Sequence, residues 1–187
     1  MTNLFTKQSS TVTVVATGIG AALFFVLGRF VAIPSPVPNT SISLQYAILA
    51  VFALLYGPVS GFLIGFIGHL LIDATSYGPW YSWEITSAVV GLIIGIALIH
   101  VSIDRTGFGR KQILLFNGAI VLANAVGWFL VAPILDIVLY AEPANKVFTQ
   151  GLFAGVSNII TSCVLGTLLV VVYAQTRTKS NSLKVES

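Results

Sequence analysis

The 187-residue chain is 56% hydrophobic and only 8% charged. An ordinary soluble domain carries roughly 25% charged residues, so these proportions exclude a water-clothed surface and require an integral membrane protein, expected from its apolar spans to be all-α. The formal charge of +3 comes from basic residues scattered at helix ends, which excludes a nucleic-acid surface and points to membrane topology. The length suits a single membrane domain over residues 1–187 with six spans, at roughly 20 residues per span plus short loops.

Residues Met1 to Ser10 are polar, with Lys7 the one charge. The first span is expected from about Thr11 to Ile33. It is too long for a signal-peptide core and lacks a cleavage site, so it is expected to stay in the mature protein. Its first half interleaves two small-residue pairs, Ala16 with Gly20 and Gly18 with Ala22, and its second half holds Arg29. Pro34, Pro36 and Pro38 then enforce an extended loop through Asn39, because proline fixes φ and donates no hydrogen bond. A short second span follows from about Ile42 to Tyr56, with Gln45 and Tyr46 at its start.

The third span, about Pro58 to Tyr77, carries a stripe at four-residue steps: Gly57, Gly61, Gly65, His69, Asp73, Tyr77. Each such step drifts only about 40° around a helix. One half of the stripe is bare backbone, which lets another helix approach closely. The other half is polar, and ionisable residues in an apolar span are functional suspects. The fourth span runs from about Trp80 to His100, with Trp83 and Glu84 near its start and Gly91 and Gly95 inside. A polar loop holds Asp104, Arg105, Arg110 and Lys111. The fifth span runs from about Gln112 to Ile134 with Asn117, Asn124 and Trp128 inside; Pro133 is expected to kink or end it, ahead of Asp136. Glu142, Pro143 and Lys146 form the next loop, and the sixth span covers about Val147 to Tyr173 with Asn158 and Cys163 inside. The polar tail, Gln175 to Ser187, is expected to be flexible.

Six spans put both termini on one side, together with Lys7, Arg105, Arg110, Lys111, Arg177, Lys179 and Lys184. The other side has Lys146, with Arg29 near it. The positive-inside rule makes the termini cytoplasmic. Most polar residues then fall toward the outer face, so a polar, aromatic pocket opening outward is expected. Its candidate lining is Arg29, Asn39, Gln45, His69, Asp73, Tyr77, Trp83, Glu84, Asn124 and Trp128. Trp80 and Tyr81 fit an interfacial aromatic belt equally well.

His69 and Asp73 form an i, i+4 pair. They can be a buried structural pair, ligand contacts, or part of an intramembrane acid–base couple. Metal binding needs more clustered donors than the chain supplies, since His100 lies at the opposite end of its span and Cys163 has no partner. No GxSxG, HExxH or P-loop occurs, so no cofactor is expected and ATP hydrolysis must come from partners.

The segments GPVSGFLIGFIGH (57–69) and ATGIGAALFFVLGRF (16–30) resemble those of the substrate-binding S components of energy-coupling factor (ECF) transporters, and look like those of hydroxymethylpyrimidine- or pyridoxine-type members. The resemblance implies a six-helix bundle that binds a vitamin or precursor beneath its first outer loop, works with a membrane T component and two cytoplasmic ATPases, and is not itself an enzyme. It implies docking of the T component on an Ala-x-x-x-Ala motif, whose matching positions are Ala16 with Gly20 and Gly18 with Ala22. In such a pocket Tyr77, Trp83 and Trp128 would stack on a heteroaromatic ring, and His69, Asp73, Glu84 and Asn124 would pair with its nitrogens, amine or hydroxyls. An intramembrane enzyme using His69 and Asp73, or a structural membrane subunit, are the alternatives.

Overall fold

The structure, a computed structural model, describes residues 9–101, 103 and 108–176. Lys7, Asp104, Arg105 and the tail from Arg177 onward, including Lys179 and Lys184, lie outside the described residues. Among the described residues there are six helices and one hairpin. They are α1 (Ser10–Phe30), β1 (Ile33–Pro34), β2 (Ser41–Ile42), α2 (Gln45–Tyr56), α3 (Pro58–Ala74), α4 (Tyr81–Ala97), α5 (Arg110–Tyr140) and α6 (Ala144–Thr176).

α1, α5 and α6 are long and apolar enough to cross a membrane; α2, α3 and α4 have 12, 17 and 17 residues. A 12-residue helix spans only about 18 Å, short of a hydrocarbon core of about 30 Å. α2 is sheltered by protein instead, with Tyr46, Leu49, Ala50, Ala53 and Leu54 almost fully buried. The chain on either side of the proline loop was expected to be helical to Ile33 and from Ile42. It pairs as an antiparallel hairpin instead, Ile33 against Ile42 and Pro34 against Ser41. Pairing satisfies backbone groups that the three prolines keep out of a helix.

The glycine stripe of α3 is a backbone-to-backbone seam with α4. A Cβ at Gly61 would overlap the Gly91 carbonyl, one at Gly65 the Ser87 carbonyl, and one at Gly95 the Pro58 backbone. Hydrophobic burial drives little helix association in lipid, so this close van der Waals contact is the main attraction available there. Gly57 (φ +93°) and Gly78 (φ +91°) make the turns at the two ends of α3, and Pro58 follows Gly57 at the first helical position, where its missing N–H costs nothing. Further along α3, Gly68 abuts Phe24 of α1.

α5 does not end at Pro133. It continues to Tyr140 by widening into a π-helical turn over Gly127–Val131, just before the proline. The wider turn accommodates a residue that breaks the normal ladder. Gly151 of α6 sits against the Trp128 carbonyl, where a Cβ would overlap it. α6 has its own π-helical turn, Ser162–Gly166, which contains the half-buried Cys163.

Candidate functional site

A cavity of about 630 Å³ occupies one end of the bundle. It is the end where the hairpin, the α3–α4 turn and the α5–α6 turn meet, opposite to Ser10 and Thr176. The hairpin loop supplies Asn39 to Ser41 and Ser43; α2 supplies Gln45 and Tyr46; α3 supplies His69, Ile72 and Asp73. The α3–α4 turn and α4 bring Tyr77, Trp80 and Trp83; α5 brings Trp128 and Asp136; and Gln150, Ala154 and Asn158 come from α6. Asn39 takes a left-handed conformation (φ +57°), which asparagine tolerates better than most residues. Gln150 Nε2 donates to the Pro38 carbonyl at 2.9 Å and Thr161 to the Ser43 carbonyl at 2.9 Å, tying the hairpin to α6.

Asp136 organises one wall. Its carboxylate accepts the indole N–H of Trp80 at 2.8 Å, that of Trp83 at 2.9 Å, and the hydroxyl of Ser82. Asp136 is 2% exposed, so these three donors compensate a charge that would otherwise be costly to bury. Trp80 also stacks on Tyr140, centroids 4.0 Å apart, and the Tyr140 hydroxyl accepts the Tyr81 N–H at 2.9 Å. Deeper in, Trp128 lies edge-on to Trp83 (5.1 Å) and to Tyr46 (5.8 Å). These three rings form an aromatic corner.

Ser87, one turn along α4 from Trp83, organises a second cluster behind the lining. Its hydroxyl lies 2.6 Å from His69 Nδ1, 2.7 Å from the Tyr46 hydroxyl and 3.0 Å from the Trp83 carbonyl. One hydroxyl has one proton. When Ser87 donates to the Trp83 carbonyl, it accepts from Tyr46 and from protonated Nδ1. His69 Nε2 then faces Asp73 Oδ1 at 3.7 Å, too far for a hydrogen bond. Asp73 Oδ2, Gln45 Oε1, Asn158 Oδ1 and Trp128 Nε1 are buried without any hydrogen-bond partner. Buried polar groups are nearly always satisfied; of the seven such orphan atoms among the described residues these four belong to side chains that line the cavity, and the other three, Glu84 Oε2, Asn124 Oδ1 and Ser162 Oγ, do not. Glu142 and Lys146 at the rim pair with each other at 2.7 Å. Among the described residues no three His, Cys, Asp or Glu side chains converge as a metal site.

Of the ten candidates read from the sequence, seven line this cavity: Asn39, Gln45, His69, Asp73, Tyr77, Trp83 and Trp128. Three do not. Arg29 is exposed outside it, its guanidinium 5.6 Å from the Phe30 ring centroid. It sits one residue past the lining Gly28, about 100° around the helix. Glu84 is fully buried beside the wall, where its Oε1 accepts the Trp80 backbone N–H at 3.1 Å. Asn124 is buried in α5 and donates to the Ile120 carbonyl at 2.9 Å.

Tyr46, Trp80, Asp136, Gln150 and Asn158 line the cavity without having been singled out as site residues. The four-residue stepping of Gln150, Ala154 and Asn158 was a signal that could have found the α6 wall. Asp136 is placed by the sequence just past Pro133 at the outer end of its span, but is not among the site candidates.

The two small-residue pairs of α1 separate. Ala16 is 7% exposed, and Gly20 packs against Ile64 and Phe52 inside the bundle. Gly18 and Ala22 face outward, with open space around Gly18. The Ala16–Gly20 pair is therefore occupied within the chain, and only the Gly18–Ala22 pair stays free for a docking partner.

Comparison with known proteins gives a consistent result. The family model for the ECF-type riboflavin transporter S component matches residues 8–175. A UPF0397 protein of Lactococcus lactis subsp. cremoris is 55% identical over 181 residues, covering 96% of this chain and all of that one. A UPF0397 protein of Exiguobacterium is 53% identical over 188 residues, covering all of both chains. Among solved structures, the crystal structure of FolT bound with folic acid shares the fold, with a TM-score of 0.57 at 14% identity over 86% of this chain and 94% of that one.

Proposed function

The chain belongs to the ECF-type riboflavin transporter S-component family, whose members are non-catalytic substrate-binding transporter subunits, and from that premise we propose that its cavity captures a small heteroaromatic vitamin or precursor, hydroxymethylpyrimidine- or pyridoxine-like. The observation that carries the substrate reading is the aromatic corner of Tyr46, Trp83 and Trp128 beside four buried, unpartnered polar atoms. A flat ring gains edge and face contacts from the corner. Its nitrogens, amine or hydroxyls supply the missing hydrogen bonds, and a site built to make such bonds discriminates strongly against analogues lacking them. The enzyme alternative falls with family membership, and His69 and Asp73 become ligand contacts.

The chain is a multi-pass membrane protein, read as one membrane domain in the plasma membrane. The basic residues favour cytoplasmic termini, which turns the cavity to the outside. Uptake then needs a membrane T component and two ATPases, with the outward Gly18–Ala22 face of α1 as the docking surface. The test is reconstitution into liposomes with labelled hydroxymethylpyrimidine, pyridoxine and riboflavin. The expected result is binding by the isolated protein, but ATP-dependent uptake only when T component and ATPases are present. Uptake by this chain alone, or no binding of any of the three, contradicts it.

A further inference from the structure

We infer that the cavity selects by charge sign: it takes a neutral or cationic nitrogen heteroaromatic that presents N–H donors, and refuses the phosphorylated or carboxylated forms of the same rings. The inference rests on the reading of this cavity as the substrate site and narrows its chemistry.

The charged lining comes from two helices and one turn. α3 contributes Asp73 beside His69, α5 contributes Asp136, and the α5–α6 turn brings Glu142 and Lys146. The hairpin, α1, α2 and α4 contribute no charge to the lining. Three carboxylates therefore face one ammonium, and that ammonium is held by Glu142 at the rim. Arg29, the other cation at this end of the bundle, points away. An entering phosphate or carboxylate would meet two buried carboxylates and, among the described residues of the lining, no free cation. Arginine clusters or clustered backbone N–H groups are what such anions ordinarily require. The N–H groups of the α3–α4 turn are already taken: those of Ser76, Tyr77 and Gly78 donate to the Asp73 carbonyl.

The hydrogen-bonding capacity of the walls runs the same way. The indole donors of Trp80 and Trp83 and the hydroxyl of Ser82 all point at Asp136. Of the buried unmet atoms in the lining, three are oxygen acceptors, Asp73 Oδ2, Gln45 Oε1 and Asn158 Oδ1, and one is a donor, Trp128 Nε1; the Gln45 and Asn158 amides carry N–H donors as well and serve either way, so Asp73 is the member that sets the preference. Asp73, Gln45 and Asn158 are each at least nine-tenths buried. As a carboxylate, Asp73 offers acceptors and no donor. A ring amine or a protonated ring nitrogen satisfies it, and the Trp128 indole is left for a ring nitrogen or hydroxyl.

The test is equilibrium binding of matched pairs to the wild-type protein in detergent: hydroxymethylpyrimidine, pyridoxine and riboflavin, each against its phosphate ester. For any pair whose alcohol binds, the ester is expected to bind at least about a hundredfold more weakly. Asp73→Asn should narrow that ratio by about tenfold, and Glu142→Gln, which frees Lys146, should narrow it too. Hydroxymethylpyrimidine is expected to bind more tightly than its amine-free analogue, and pyridoxamine more tightly than pyridoxine. An ester binding within about threefold of its alcohol overturns the charge selection while leaving the substrate-site reading intact. Amine-free analogues binding as well as the amines overturn the donor requirement. Failure of every compound to bind overturns the substrate-site reading, and this inference with it.

Discussion

The indole of Trp83 donates its N–H to the Asp136 carboxylate at 2.9 Å, a bond between positions 53 residues apart. It clasps α4 to the part of α5 that lies beyond Pro133, and so sets the edge of the ring that faces Trp128. The cavity wall therefore depends on a helix continuing through a proline.

Asp136→Ala removes the acceptor shared by two indole N–H groups and one hydroxyl. Leaving buried donors unmet costs about 1–3 kcal/mol each where no water reaches them. The variant should bind ligand at least about tenfold more weakly and melt at lower temperature in detergent. Asp136→Asn keeps one acceptor oxygen and should fall between the two. Calorimetry and a thermal melt on the same preparations check both parts.

Asp73→Asn and Trp83→Ala should each weaken binding at least about tenfold, or about 1.4 kcal/mol, in protein that still inserts. Arg29→Gln should bind like wild type, because its side chain lies outside the lining. If all three variants bind equally well, the cavity is not the site.

The α3–α4 seam should tolerate no added atom. Gly65→Ala pushes a methyl into the Ser87 carbonyl, and overpacking of this kind costs about 1–3 kcal/mol. Gly118→Ala is the control, since nothing lies within 4 Å of its new Cβ. A lowered melting temperature for Gly65→Ala alone is expected; equal melting of both would show that the helices are not in backbone contact.

The two faces of α1 should separate binding from coupling. Ala22→Leu places a bulky side chain on the outward face. It should leave ligand binding unchanged and abolish uptake with the partner subunits, because small residues are what permit close helix approach. Ala16→Leu points into the bundle and should lower stability itself. Full uptake by Ala22→Leu removes the proposed docking face.

Much of this fold was legible because glycine and polar residues recur at four-residue steps. Gly61 and Gly65 marked the seam, and His69 and Asp73 continued the same stripe into the cavity. The stepping misled where the helix was not regular. The π-helical turn at Gly127–Val131 changes the phase of everything beyond it, Asp136 included; Trp128, inside the turn, lines the cavity while Asn124, before it, stays in the core. The same turn carries the helix past Pro133, which local rules treat as a stop. Glu84 shares the depth of Trp83 but lies about 100° away around α4, and depth alone does not distinguish them. The hairpin could not be read from the sequence, because strands of two residues have no periodicity to show. The interleaving of Ala16–Gly20 with Gly18–Ala22 was visible, but which pair faced inward depended on Phe52 and Ile64, residues of other helices.

Mass spectrometry of small molecules released from the purified, unsupplemented protein tests the central claim most directly. The account predicts a stoichiometric, unphosphorylated nitrogen heteroaromatic with wild type, and its loss from Asp73→Asn and Trp83→Ala. A lipid or no ligand from wild type, with no binding of added heteroaromatics, would contradict it.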